Sequence, residues 1–491
     1  MQKISALVRL FLPHRNAVLF ILLFLSALTL GPRMLNIDGD LPRHLLMGKF
    51  VLDTGAPPTE EIFSYVYENR PYVAQEWLAG VIFYAANILL GLNGVVLLAG
   101  ILIASAFTVL YAEAFPRNKE LTFTFLLMVL GALATSIHWV TRPHLFTMLF
   151  LAIWLILTDR LYRGIRVRLW IFPTLMLFWA NIHGEFIAGF LVLIAYIAGW
   201  FWTYLFARST TALETGKNLG LVALISFAVC NISPAGFRTW TIVFGYITNR
   251  YLLSRIAETR PPDFTRTEYW PLLILLGVSL YLLITKRDRF SPPQFFLMAG
   301  FGIMSLLSAR NAHLVGIVLP YVLSSAITGI SGFAPLRNIE RAIRQIESQI
   351  SGSVLPVLLT ILISTGVLLG PAAGFNRFEP TVFPVDAVGW LEKHPQSGRM
   401  FNAFDWGGYI LLHLWPEQKT FIESHTDVTG EATRKYETII TLQDGWQDIF
   451  DQYHITWAVI PPAWPLSREL IAHGWEIIHE DQTALILIKN N

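Results

Sequence analysis

Asp38-Gly39-Asp40-Leu41-Pro42-Arg43-His44 follows directly on the first apolar segment of the chain. Two carboxylates, a guanidinium and an imidazole at the point where a membrane helix leaves the lipid are costly unless they face water or a partner. Together they suit general acid–base chemistry at a bilayer surface, where a carboxylate takes a proton and a cation neutralises a nearby anion. Similar groups recur at the ends of later apolar runs: Gln75 and Glu76; Arg142 and His144; Asn181, His183 and Glu185; Asn231 and Arg238; Arg310 and His313. A bundle of apolar helices does not require them. Set around one water-exposed cavity they would act on an anionic substrate, with Arg142, Arg238 and Arg310 available to grip a phosphate or pyrophosphate through the guanidinium fork.

Each group also has a plainer reading. Asp40 precedes a helix with proline in its first turn and fits an N-cap equally well, which does not exclude catalysis. His144 and His313 fit as interface residues, and His183-Gly184-Glu185 as a tight turn between two spans. No two of these residues have a strong metal-ligand spacing such as His-Glu-x-x-His, so no metal site is assigned.

The elements that must carry these groups follow from composition. Of 491 residues, 54% are hydrophobic and only 14% charged, against about 25% charged in soluble domains; the chain is an integral membrane protein. A net charge of +2 leaves no basic block for nucleic acid. The single cysteine, Cys230, excludes an intramolecular disulfide and a thiolate metal site. The first apolar run has no small-residue cleavage site and reads as a retained anchor.

Runs long enough to approach the ~20 residues of a span lie at 16–31, 95–112, 121–140, 145–158, 169–182, 186–207, 219–232, 270–285, 294–309, 311–330 and 353–371, about eleven in all. The segment 77–92 is apolar but short, and either spans or lies along the surface. Charge decides. With 77–92 at the surface, Lys3, Arg9 and Arg15 share one side with Arg117 and Lys119, with Arg160, Arg163, Arg166 and Arg168, with Arg208 and Lys217, with Lys286, Arg287 and Arg289, and with Arg337, Arg341 and Arg344. Short loops this basic belong in the cytoplasm. The expected orientation is N-terminus inside and C-terminus outside, in the plasma membrane, with 32–94 as one large external loop carrying interfacial helices. The first of these has Leu41, His44, Leu45, Gly48, Val51 and Leu52 on one stripe. Ile339, Ile343, Ile346 and Ile350 predict a surface-lying anchor helix over 337–351 on the cytoplasmic face.

From about residue 375 the chain changes character. Short apolar runs at Met400, Thr420, Thr456 and Ala484 read as strands, and 385–393, 407–414, 432–451 and 466–473 as helices. Alternating strands and helices predict a small α/β domain with a largely parallel sheet. The fold class is thus an α-helical polytopic membrane domain over 1–374 and an extracytoplasmic α/β domain over 375–491.

The run Asp40-x-x-Arg43-His44 … Leu52-x-Thr54-Gly55 resembles the Asp-Glu-x-Arg-Tyr … Leu-x-Thr-Gly pattern of the lipid A aminoarabinose transferases, and Arg70-Pro71-Tyr72, Glu76-Trp77 and Gly91-Leu92-Asn93 continue in the same order. These enzymes belong to the C-type glycosyltransferase superfamily (GT-C), with the protein O-mannosyltransferases and oligosaccharyltransferase catalytic subunits. Leu41 stands where a second acid is usual, and Asp38 is the nearest replacement. Asp405-Trp406-Gly407-Gly408-Tyr409-Ile410 is similar, in permuted order, to the Trp-Trp-Asp-Tyr-Gly signature of the oligosaccharyltransferases; a glycine-rich strand-to-helix turn with buried aromatics is the simpler reading.

The resemblance implies inverting transfer of a sugar from a polyprenyl-phosphate-linked donor to a glycan, lipid or protein acceptor at the external face. Asp40 is the implied catalytic base, with Asp38 or Glu76 orienting it. Arg43, His44, Arg142, His144, His183, Glu185, Arg238, Arg310 and His313 are the candidate substrate-binding residues. A divalent cation serves some members of the superfamily and not others, so no cofactor is assigned. Two other classes compete: a non-catalytic scaffold on a degenerate GT-C fold, assembled with partner subunits, and a lipid or solute transporter, which would need ionisable groups near the bilayer midplane.

Overall fold

The computed structural model describes residues 13–68, 70–118, 120–207, 211–328, 334–347, 354–369, 375–424 and 430–490. Lys3, Arg9, Lys119, Arg208 and the end of the 337–351 segment lie outside the described residues. The chain divides into two compact units, one of residues 1–31, 96–232 and 256–373, the other of 32–95, 233–255 and 374–491.

The first unit is helical. Each of the eleven apolar segments contains a helix. Among the described residues five helices are long and apolar enough to cross a membrane: Trp77–Arg117, Leu121–His138, His144–Tyr162, Gly184–Phe206 and Thr267–Thr285. The apolar helices of this unit keep large apolar side chains exposed, among them Phe206, Leu224, Ile284 and Leu307, as an apolar solvent permits. The short helix Ala312–Leu323 is buried on every side. It meets Leu121–Thr135 through Gly131 and Gly316, where an added Cβ would overlap the partner backbone; small residues let membrane helices approach this closely. Trp154 donates its indole N–H to the Gly189 carbonyl at 2.9 Å, tying His144–Tyr162 to the helix that follows Glu185. Ser291 opens Pro292–Leu307 with a capping box, its N–H donating to the Gln294 side chain at 2.8 Å, and two prolines in the first turn suit a helix start. The anchor helix runs over Ala334–Glu347.

The 77–92 segment is a helix distinct from the span that follows it. The stretch Trp77–Asn118 departs from helical geometry at Leu90 (φ −141°) and Gly91 (φ 59°), a conformation glycine adopts without Cβ cost.

In the second unit four strands, β1 (Arg399–Asn402), β2 (Ile455–Ile460), β3 (Trp475–Glu480) and β4 (Leu485–Lys489), form a sheet in the order β1-β2-β4-β3. Only β1 and β2 run parallel; β4 is antiparallel to β2 and β3. The expected largely parallel sheet is therefore corrected. β3, whose exposed Glu476, Ile477 and Glu480 blur the apolar pattern, pairs with β4 as a hairpin, which needs no crossover helix. Thr420 forms an isolated bridge with Ser64 rather than a strand. The 432–451 helix is two, Glu431–Ile440 and Trp446–Gln452, separated where Leu442 and Gly445 take positive φ.

Alternate strand residues point to opposite faces. Phe401, Ala458 and Leu487 join Phe421, Tyr436 and Phe450 on one face, while Met400, Trp457 and Ile486 join Phe383, Val388 and Ile410 on the other. The 32–94 segment is part of this core: the Tyr65 hydroxyl donates to the Met400 carbonyl at 2.8 Å, and Leu46, Met47 and Val51 pack with Phe63, Tyr72 and Leu411.

Candidate functional site

The candidate residues gather in two clusters, one in each unit. The first is built on the helix Asp40–Thr54. Its opening backbone is satisfied by the preceding acid, because the Asp40 N–H donates to Asp38 Oδ1 at 3.0 Å. The N-cap position is Gly39 rather than Asp40, and Asp40 is the first, partly exposed residue of the helix. Leu41 is turned into the core, 2% exposed, so position 41 does not share the exposed face of Asp40.

One turn on, the Arg43 Nε stands 3.0 Å from the Glu423 carboxylate, and its Nη2 donates to the Tyr72 hydroxyl at 2.5 Å. Burial works against charge on Arg43, but Tyr72, Glu423, Glu76 and Asp40 outweigh it and raise its pKa; the guanidinium is a permanent cation of the cluster. Burial likewise raises the Tyr72 phenol, which stays a hydroxyl. His44 is buried, with Nε2 3.8 Å from the Glu76 carboxylate. This approach depends on Gly48 and Gly80, where a Cβ on either would overlap the facing helix backbone.

The Phe404–Trp406 turn and the helix Gly407–Leu414 close on the same helix start: a Cβ on Gly39 would overlap the Asp405 carbonyl, and one on Gly408 would lie 2.9 Å from the Gly39 oxygen. Trp406 donates its indole N–H to the Val382 carbonyl at 2.9 Å. The Asp405–Ile410 motif is therefore a tight turn into a helix with buried aromatics. Beside Glu423 lies a cavity of about 30 Å³, also walled by Glu61, Ser64, Tyr67 and Phe404, room for a water or two. Burial pushes the Glu61 carboxyl up, although it accepts the N–H groups of Phe63 and Ser64 at 2.7 and 3.0 Å.

The second cluster sits at one end of the helical unit, around Glu185. His183 leaves the helix Ile171–Ile182 in extended conformation, and Gly184–Phe186 is a single 3₁₀ turn. Glu185 Oε2 lies 2.7 Å from His313 Nε2 and 3.5 Å from His183 Nδ1, and Oε1 lies 3.5 Å from Arg310 Nε. His313 Nδ1 is 2.7 Å from the Arg310 carbonyl. Both His313 nitrogens thus face protein oxygens. His144 and His138 meet it edge to face, with ring centroids 5.3 and 5.5 Å from that of His313. Arg310 and Arg142 reach Glu258 at 3.4 and 3.7 Å.

Each of the other three imidazoles also meets a protein carbonyl or hydroxyl. His138 Nε2 meets the Ala309 carbonyl at 2.9 Å, His144 Nε2 the His138 carbonyl at 2.5 Å, and His183 Nδ1 the Thr147 hydroxyl at 2.9 Å. Among the described residues no group of three or more His, Cys, Asp or Glu is arranged to hold a metal ion.

Asp38, Asp40, Arg43, His44 and Glu76 thus come together in one unit, and Arg142, His144, His183, Glu185, Arg310 and His313 in the other. Arg238, exposed at the start of Arg238–Thr248, belongs to neither cluster. Sequence reasoning missed His138, Glu258, Tyr72 and Glu423 as members. His138 ends an apolar run, the same signal that found His144. Glu423 ends a run read as a buried strand, and a carboxylate there needs a buried partner. Glu258 carries no such mark.

No protein-family profile matches this sequence, and no curated protein matches it. Solved structures do. The fold is that of the GT-C glycosyltransferases. The chain is similar to the oligosaccharyltransferase AglB of Archaeoglobus fulgidus, solved with an inhibitory peptide and a dolichol-phosphate, at TM-score 0.61 and 13% identity over 91% of this chain and 69% of that one. It is also similar to ArnT of Cupriavidus metallidurans, solved bound to undecaprenyl phosphate, at TM-score 0.50 and 13% identity over 96% and 97% of the two chains.

Proposed function

We propose that this protein transfers a sugar, with inversion, from a polyprenyl-phosphate-linked donor to an acceptor hydroxyl at the extracytoplasmic membrane face. The observation that carries the reading is Asp40: a partly exposed carboxylate at the first position of a helix whose N-cap is Gly39 and whose first N–H is held by Asp38, in a fold shared with AglB and ArnT. Asp40 takes the acceptor proton, the acceptor oxygen attacks the anomeric carbon, and the bond to phosphate breaks to release polyprenyl phosphate. Asp38 holds the helix start, and Arg43 supplies a fixed positive charge one turn on. Arg142 and Arg310, with Glu185 and His313, form a separate cationic cluster of a kind that suits an anionic group.

Purified full-length protein, offered a panel of polyprenyl-phosphate sugars and assayed by mass spectrometry for released polyprenyl phosphate, tests this. Asp40→Asn should lose about 100-fold or more, the scale of a general base, with unchanged thermal unfolding; full release by the variant removes Asp40 from the mechanism. A wild-type protein inert across the panel supports the scaffold reading instead.

The proposed orientation is open to a labelling experiment, because Cys230, the single cysteine, is buried. A Lys393→Cys variant, at an exposed position of the C-terminal segment, should react with a membrane-impermeant maleimide in intact cells. Labelling only after the cells are broken reverses the orientation.

A further inference from the structure

The helix His144–Tyr162 carries the histidine cluster at its start and a different charged group near its end. There Asp159 accepts from Arg117 at 2.6 Å, Arg163 at 3.0 Å, Tyr196 at 3.1 Å and Tyr321 at 3.0 Å. Glu113 pairs with Arg117, Arg160 and Arg163. The carboxylates are the inner layer, with side chains 6% and 12% exposed, and the guanidiniums the outer one, at 28%, 43% and 36% for Arg117, Arg160 and Arg163. Three cations over two anions leave one net positive charge facing out, and Arg166 and Arg168 follow in the chain.

Directly beside this rim lies an open groove of about 330 Å³ between the helices Trp77–Asn118 and His144–Tyr162. Its walls are apolar, from Val109, Ala112, Ile153 and Leu157, and its head is Glu113 and Arg160. Both helices are long and apolar enough to cross a membrane, so the groove faces hydrocarbon along its length and charge only at one end. That polarity matches an amphiphile with an acyl chain and an anionic headgroup, as basic pockets between membrane helices do. Its volume falls within the ~300–1,000 Å³ of small-ligand sites.

We infer that this groove is a binding site for an anionic glycerophospholipid of the cytoplasmic leaflet, one acyl chain lying against Val109, Ala112, Ile153 and Leu157 and the phosphate on Arg160. The site is separate from the transfer reaction and does not depend on it.

Native mass spectrometry of the detergent-purified full-length protein, titrated with phosphatidylglycerol, phosphatidylcholine or undecaprenyl phosphate, tests the assignment. Phosphatidylglycerol should be retained in preference to the other two. Arg160→Gln should weaken it roughly fivefold, the scale of one charge at an anionic membrane surface. Ala112→Trp, at an exposed position, fills the groove without touching the arginines and should also displace the lipid. Equal retention of phosphatidylcholine, preference for undecaprenyl phosphate, or phosphatidylglycerol binding unchanged in Ala112→Trp overturns the inference. The last of these holds even if Arg160→Gln fails to fold.

Discussion

The helical unit places an acid near each end of its charged bundle, and the two are treated differently. Asp159 is 4% exposed and ringed by donors whose charge does not change near neutral pH, two arginines and two tyrosines. Glu185 keeps 17% of its side chain exposed and is met by two imidazoles and one guanidinium. Arginine is permanently protonated and binds carboxylates through a rigid fork, whereas each imidazole offers a single contact. The Asp159 end is thereby a clamp between helices. The Glu185 end keeps surface that water or a ligand can reach. The lesson is that a buried acid is read from its partners as much as from its burial.

The contrast can be broken experimentally. Asp159→Leu should have the largest effect on folding, because it removes the buried acid that Arg117, Arg163, Tyr196 and Tyr321 share; breaking such a buried pair costs about 3–5 kcal/mol, read as a lowered midpoint in thermal unfolding of the detergent-solubilised protein. Glu185→Gln keeps shape and hydrogen-bonding capacity and should cost less, ~1–3 kcal/mol, while sugar transfer falls at least about tenfold. If the two variants destabilise equally and Glu185→Gln transfers normally, the distinction between clamp and working end fails. Arg163→Gln gives the smallest change, under about 1 kcal/mol, since its side chain is 36% exposed and solvent screens such pairs; a loss as large as that of Asp159→Leu would mean the rim, not the buried acid, holds the helices.

The two clusters were unequally legible. Asp38, Asp40, Arg43 and His44 are neighbours in sequence, so one helix start displays them together, and the stripe from Leu41 to Val51 announces the helix. His144, His183, Glu185, Arg310 and His313 were each visible as a polar residue at the end of an apolar run, a position where desolvation cost demands a reason. What that signal does not contain is pairing. The 2.7 Å approach of His313 to Glu185 joins residues far apart in the chain, and Glu258, in a polar stretch, gave no sign that it would meet Arg310. Tyr72 and Glu423 were hidden for the same reason, since their partner Arg43 comes from another segment.

The C-terminal sheet shows a related limit. Apolar runs at Met400, Thr456 and Ala484 are strands, but strand direction depends on which segments become neighbours. The hairpin of β3 and β4 made most of the pairings antiparallel, and Thr420 went to a bridge with Ser64 of the 32–94 segment.

Composition and periodicity alone determined that this chain is a membrane protein, where its apolar helices lie, and that acids, arginines and histidines collect at helix ends. These are local consequences of solvation, written in consecutive residues. The tertiary structure decided the rest: that Asp38 holds the first N–H of the helix that Asp40 opens, that Arg43 is locked between Tyr72 and Glu423, that His313 faces Glu185, and that Asp159 is enclosed. Those outcomes depend on glycine-lined approaches such as Gly48 to Gly80 and Gly131 to Gly316. Close packing between distant segments selects which polar groups meet, and no window of sequence contains both partners.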